Sequence, residues 1–152
     1  MTAEHTAVRL GIAGAPRGTR FLAGMQATDL ARLVAVYDPS AEARERFRRE
    51  TGVEHVCGSY AQLLDLVDAV IVSSPQQYHV PQAALALQAG VHVLSEVPAA
   101  VSMEQAAELL SAVRRSSAVY MLAENYCYTR ANLIVRGMVQ AGLFGDIYFA
   151  EG

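Results

Sequence analysis

The stretch "VRLGIAGAPRGT", Val8 to Thr19, is an apolar run that passes directly into a turn of small residues holding Gly14 and Gly18. A short apolar run that ends in glycines reads as a strand buried on both faces, as in a parallel sheet packed between helices. The same kind of run returns in "ARLVAVYD" (Ala31 to Asp38), "HVCG" (His55 to Gly58), "DAVIVSS" (Asp68 to Ser74), "VHVLS" (Val91 to Ser95) and "AVYMLA" (Ala118 to Ala123). Helical patterns lie between them. Ser40 caps one that stops at Gly52. Another starts near Gln77, carries Val80, Ala83, Ala84 and Leu87, and stops at Gly90. The stretch Ser102-Met103-Glu104-Gln105 is a capping box ahead of Ala106, Leu109, Leu110 and Val113, and Thr129 begins a last helix that ends at Gly142. Strand–helix alternation of this kind predicts right-handed crossovers and a doubly wound α/β fold. Its six-stranded parallel sheet has the order 3-2-1-4-5-6, and ligands bind at the carboxyl ends of the strands.

The chain has 152 residues, 53% of them hydrophobic, enough for one domain with a core. A net charge of -3 leaves no electrostatic footprint for nucleic acid. The basic cluster Arg44, Arg46, Arg48, Arg49 is interleaved with Glu42, Glu45 and Glu50 and reads as a solvated helix face, with Glu42–Arg46 and Glu45–Arg49 at the pairing distance. The polar start Met1 to Thr6 has no signal-peptide pattern, and no apolar segment approaches the ~20 residues that span a bilayer. A cytoplasmic protein with no membrane partner is expected. Cys57 and Cys127 are far apart, and His5, His55, His79 and His92 show no ligand spacing, so neither a disulfide nor a metal site is expected.

Four places carry the chemistry. A phosphate-binding turn needs glycines where backbone approaches a pyrophosphate and where helix meets strand, and Gly14 and Gly18 suit that. The strict G-x-G-x-x-G is not met: Pro16 occupies the second glycine position and the spacing to Gly18 is one residue short. Arg17 can supply the charge that a missing amide would have offered. Asp38 ends the second strand, 24 residues after Gly14, where an acid accepts hydrogen bonds from adenosine ribose hydroxyls and repels a 2'-phosphate. The other reading of Asp38 is a turn former before Pro39 and Ser40. "SSPQQYH", Ser73 to His79, makes a wall for a bound ribose and nicotinamide, or ordinary strand-to-helix punctuation. Glu96, in "SEVP", ends the fifth strand on the ligand side with no cation beside it in the sequence. Tyr120, Tyr126 and Tyr128 read as core or interface aromatics.

The order of these pieces resembles the Gfo/Idh/MocA oxidoreductase family. The resemblance implies a Rossmann cofactor domain that binds NAD, with cofactor contacts from Gly14, Arg17, Gly18, Asp38, Ser73, Ser74, Pro75, His79, Glu96, Val97 and Asn125. It puts Glu96 near the nicotinamide ribose, with the cofactor as its neighbour, and Asn125 of "AENYCY" near the nicotinamide. Val97 stands where the family's "E-K-P" motif has its lysine, so the catalytic residues stay unassigned. The implied layout is a dinucleotide-binding domain over residues 1–142. Residues 143–152, "LFGDIYFAEG" from Leu143, would begin a substrate-binding α/β domain, with a further strand from about Asp146. The 152-residue chain alone is then expected to be inactive.

"SEVPAA" and "AENYCY" are similar to one branch, the NAD-dependent glycosidases typified by α-N-acetylgalactosaminidase. Three functions stay open on the residues: hydride transfer to or from a sugar or cyclitol, a redox-neutral glycosidase on the same scaffold, and a non-catalytic nucleotide-binding module. A small sugar-like substrate and a homo-oligomer in full-length form are the expected partners.

Overall fold

The computed structural model describes residues 6–151. Most of the polar start, His5 among it, and Gly152 lie outside that range. Six strands, β1 (Val8–Ala13), β2 (Ala31–Tyr37), β3 (His55–Cys57), β4 (Ala69–Val72), β5 (His92–Ser95) and β6 (Tyr120–Leu122), form one sheet in the expected order, β3-β2-β1-β4-β5-β6. Every pairing is parallel. The crossovers are α1 (Ala15–Gly18), α2 (Leu22–Gln26), α3 (Ala41–Thr51), α4 (Tyr60–Leu64), α5 (His79–Gln88) and α6 (Met103–Arg115), and α7 (Arg130–Gln140) follows β6.

The punctuation works largely as the residue types demand. Ser40, Ser59 and Ser102 accept hydrogen bonds from the amides three residues on and so start α3, α4 and α6. Gly52, Gly90 and Gly142 take positive φ where α3, α5 and α7 stop. Thr129 sits at the start of α7, but its side chain makes no capping bond. The charged face of α3 pairs differently from the expected Glu42–Arg46 and Glu45–Arg49: Arg46 reaches Glu50 at 2.9 Å and Arg48 reaches Glu45 at 3.6 Å. Arg46 has an acid four residues away on either side, and Glu45 has an arginine at both three and four residues, so rotamers choose between them.

Alternating side chains divide the core between two faces of the sheet. Ile12, Val36 and Ile71 pack with Ala15, Phe47 and Val53 on the face covered by α1 to α3. Ala13, Ala35, Val70, Val72 and Val93 pack with Leu63, Val80, Leu87 and Leu109 on the face covered by α4 to α6. Burying Phe47, only 2% exposed, is worth about 2–3 kcal/mol.

At the C-terminal end residues 146–151 form no strand; a strand exists only where a neighbour answers its backbone groups, and none does among the described residues. No side chain of α7 is buried, so its apolar residues Leu133, Ile134 and Val135 remain about half exposed.

At the amino ends of the two central strands, Arg9 near the start of β1 grips Asp68 just ahead of β4. Its guanidinium donates at 2.7 Å and its backbone N–H at 2.8 Å. The arginine's side-chain and backbone bonds hold the Asp68 carboxyl below the usual carboxylate range, against a smaller opposing effect of burial. A depressed acid stabilises the fold above its unfolded-state pKa of about 3.9, and that contribution disappears as pH falls through the folded value. Between about pH 4 and 2, Tm should therefore fall more steeply in the unmutated protein than in Asp68→Asn. Identical acid slopes in a thermal melt series would refute the assignment.

Candidate functional site

Register places the site. Tyr37, Ala13, Val72, Ser95 and Leu122 stand side by side across β2, β1, β4, β5 and β6. The next residue of each strand is therefore in one row at the carboxyl edge: Asp38, Gly14, Ser73, Glu96 and Ala123. Backbone bonds hold that row in line. Gly14 N–H donates to Tyr37 O at 2.9 Å, Ser73 N–H to Ala13 O at 2.8 Å, Glu96 N–H to Val72 O at 2.8 Å and Ala123 N–H to Ser95 O at 2.7 Å. Four of the residues singled out in the sequence, scattered over 83 positions from Gly14 to Glu96, become neighbours in this way.

The glycines do what the turn requires. Gly14 has φ 97° and its missing Cβ would lie 2.5 Å from the backbone of Ser73 and Ser74. A Cβ on Gly18 would lie 2.3 Å from Ile12 Cγ2, the close approach of helix to strand. The turn is poor in amide donors, however. Ala15 N–H donates to Asp38 Oδ2 at 3.0 Å, Pro16 has no N–H, and Gly18 N–H returns to Gly14 O at 2.9 Å. At most the Arg17 amide is left for an anion.

Asp38, 8% exposed, forms the turn expected of it. Oδ2 anchors the first turn through Ala15 and Oδ1 accepts from Ser40 N–H at 2.9 Å, while each oxygen keeps a second lone pair for a ribose hydroxyl. Arg44 donates to the carbonyls of Asp38 at 2.6 Å and Pro39 at 3.3 Å. Nothing in the sequence distinguishes Arg44 from the other arginines of its helix. A cleft of about 360 Å³ opens beside this corner, lined by Ala15, Pro16, Ser40, Ala43 and Phe47 among others.

Beyond β4, the Ser73 hydroxyl donates to Ala13 and Gly14 carbonyls at 3.0 and 2.9 Å, and the Ser74 hydroxyl to Gln82 Oε1 at 2.6 Å. Both hydroxyls brace the turn. His79 is buried at 2% exposure with Nδ1 2.9 Å from Pro98 O and Nε2 2.8 Å from Ser74 O. With both nitrogens committed, the ring has none to offer a ligand. In this position His79 ties the loop after β4 to the loop after β5.

Glu96 has a cation after all. Arg17 Nε donates to Glu96 Oε1 at 2.6 Å, and this bond with its charge attraction raises the guanidinium further above its ordinary range. The acid's neighbour here is an arginine 79 residues away, where the sequence led us to expect only a cofactor. Val97 is half-buried, followed by a cis peptide bond to Pro98, and Asn125 is exposed two residues past the row at β6. Tyr120 is half-buried behind the row, and desolvation raises its hydroxyl pKa. Tyr126 and Tyr128 are exposed at 72% and 67%, at variance with a place in this domain's core.

A glycine turn that admits no Cβ, an acid at the end of β2, and a second acid at the end of β5 fit an extended dinucleotide laid across the exits of β2, β1, β4 and β5. When bound, its nicotinamide supplies the hydride-accepting carbon. Among the described residues no group of histidine, cysteine and acids could hold a metal ion, and no helix is long and apolar enough to cross a membrane.

Residues 8–124 match the Gfo/Idh/MocA family model, described as an oxidoreductase family with an NAD-binding Rossmann fold. Among curated proteins the chain is similar to an alpha-N-acetylgalactosaminidase of Shewanella oneidensis, 37% identical over 95 residues, 61% of this chain and 21% of that protein. It is 32% identical over 156 residues to glycosyl hydrolase family 109 protein 2 of Shewanella sp. (strain ANA-3), covering 95% of this chain and 34% of that protein. Among solved structures, the WlbA dehydrogenase from Bordetella pertussis, in complex with NADH and UDP-GlcNAcA, superposes with a TM-score of 0.84 at 27% identity. That match covers 94% of this chain and 45% of that chain. The chain thus spans about a third or less of the curated relatives' length.

Proposed function

The chain belongs to the Gfo/Idh/MocA oxidoreductase family, and from that premise we propose that it is the NAD-binding part of an enzyme acting on a sugar or cyclitol by hydride transfer. The observation that carries this reading is the single row of Asp38, Gly14, Ser73 and Glu96 at the carboxyl edge of the sheet. Asp38 holds the adenosine ribose and the cleft beside Ala43 takes the adenosine end. Glu96 faces the nicotinamide ribose and Asn125 the nicotinamide. Val97 carries no titratable atom, so the group that moves the substrate proton comes from elsewhere in the polypeptide. Residues 1–142 form the dinucleotide-binding domain and residues 143–152 lead into a substrate domain. The exposed apolar residues of α7, with Leu143 and Phe144, support a packed partner at that end.

A second reading, the redox-neutral glycosidase, is favoured by the glycosidase names of the two curated relatives. The polypeptide from the complete coding region, given aryl glycosides and a trace of NAD, separates the two. Aglycone released in excess of NAD favours the glycosidase, and stoichiometric NADH with free sugars or cyclitols favours the dehydrogenase. The 152-residue chain serves as the inactive control.

NAD is expected to bind more tightly than NADP, because a 2'-phosphate would meet the Asp38 carboxylate while Arg44 is committed to two carbonyls. Asp38→Asn keeps one acceptor for Ala15 N–H but loses the charge. It should weaken NAD binding by roughly 1–3 kcal/mol and narrow the gap between the two cofactors. Tighter binding of NADP by the unmutated chain in calorimetry would overturn this.

A further inference from the structure

The ion pair between Arg17 and Glu96 joins the exits of β1 and β5, which are not neighbours: β4 lies between them. The guanidinium therefore reaches across the exit of β4, at the point where the strand order reverses and a dinucleotide's diphosphate would lie. The turn below is short of amides, since Asp38 takes one, Pro16 lacks one and Gly18 uses its own within the turn. Within the turn Gly14 to Gly18 the one cationic donor group is that of Arg17.

We propose that Arg17 is the diphosphate-binding residue of this chain, and that Glu96 holds it in place until a dinucleotide exchanges the partners. The inference rests on the NAD-binding reading. The two ends of the pair are unequally wet: the Arg17 side chain is 54% exposed and that of Glu96 only 10%. A half-exposed pair is weak, so it yields to two phosphates that accept charge-assisted, forked hydrogen bonds. Glu96 cannot be abandoned as easily. A carboxylate this desolvated needs a new donor when Arg17 swings away, and the hydroxyls of the nicotinamide ribose supply one. The exchange makes the two halves of NAD interdependent. A ligand with the diphosphate but no second ribose takes Arg17 and leaves Glu96 unpaired, whereas NAD satisfies both.

This arrangement has an opposite-sign signature. Arg17→Ala should weaken NAD and ADP on the order of 10- to 100-fold and leave adenosine unchanged. Arg17→Lys should recover part of that loss, because it keeps the charge but not the fork. Glu96→Gln releases the guanidinium, so ADP should bind about 3- to 10-fold tighter, while NAD, which loses its ribose acceptor, gains nothing or weakens. The test is an NMR shift titration of the four chains with adenosine, ADP and NAD, with thermal melts to confirm that each variant is folded. ADP affinity unchanged in Arg17→Ala, or reduced in Glu96→Gln, overturns the exchange even though NAD still binds. Failure of the unmutated chain to bind either adenosine or NAD overturns the dinucleotide reading itself, and this inference with it.

Discussion

Gly14→Ala is expected to lose about 3–5 kcal/mol of stability, a large share of the roughly 5–15 kcal/mol that holds a domain folded. Two costs add. At φ 97° and ψ 77° an alanine is strained by about 1 kcal/mol or more. Its Cβ would also lie 2.5 Å from the carbonyl carbon and oxygen of Ser73 and the nitrogen of Ser74. These are main-chain atoms and cannot rotate aside. Ser73 is held to β1 by its own N–H at 2.8 Å and by its hydroxyl at 3.0 and 2.9 Å. Relief would have to separate β1 from β4 at the exit where the cofactor is proposed to lie. Gly24→Ala, in α2 with nothing within 4 Å of the new Cβ, is the control and should be neutral or slightly stabilising. Urea unfolding of the two variants decides the matter. A Gly14→Ala protein within 1 kcal/mol of the unmutated chain would mean that the row at the sheet edge is not rigid.

His79→Leu comes next, at about 2–4 kcal/mol, for a different reason. The ring lies between two carbonyl oxygens, Ser74 O at 2.8 Å and Pro98 O at 2.9 Å. A neutral imidazole has one N–H and serves one of them; the imidazolium serves both. Leucine fills a similar volume but leaves both carbonyls without a partner where the ring is 2% exposed, at about 1–3 kcal/mol for each buried group left unmade. For a chain of this length the melting temperature should drop by about 5–15 °C. Because the ring joins the loop after β4 to the loop carrying Glu96 and Val97, amide exchange around residues 73–75 and 96–98 should accelerate beyond the global loss. Uniform acceleration across the whole sheet would show that His79 acts as an ordinary core residue.

These two residues show how differently parts of the site can be read. That Gly14 is a glycine in a tight turn after an apolar strand is visible in "GIAGAP", because strand, turn and helix start are contiguous. The same holds for the serine caps of α3 and α6, for Asp38 at the end of "VAVYD", and for the position of Glu96 after "VHVLS". The place of His79 in the first turn of a helix is legible too, but which way the ring points is not. Both of its partners are carbonyls, which every residue possesses and no residue type advertises. Gln82 behind Ser74 and Arg44 behind Asp38 escaped for the same reason: one glutamine or arginine of a helix looks like another until the loop beside it is in place.

From the sequence alone follow the α/β class, the strand order and the residues at the carboxyl edge. Each depends on a local pattern, with few right-handed ways to connect the pieces. Only the tertiary structure decides what those residues hold. Arg17 and Glu96 are 79 residues apart and meet because β1, β4 and β5 lie side by side in matching register, which brings a turn made short by Pro16 within reach of an acid two strands away. The tail from Asp146 is the converse case. Its apolar run Ile147 to Ala150 and the family resemblance suggest a strand, but a strand is a pairing between two segments, and no partner for it lies among the described residues.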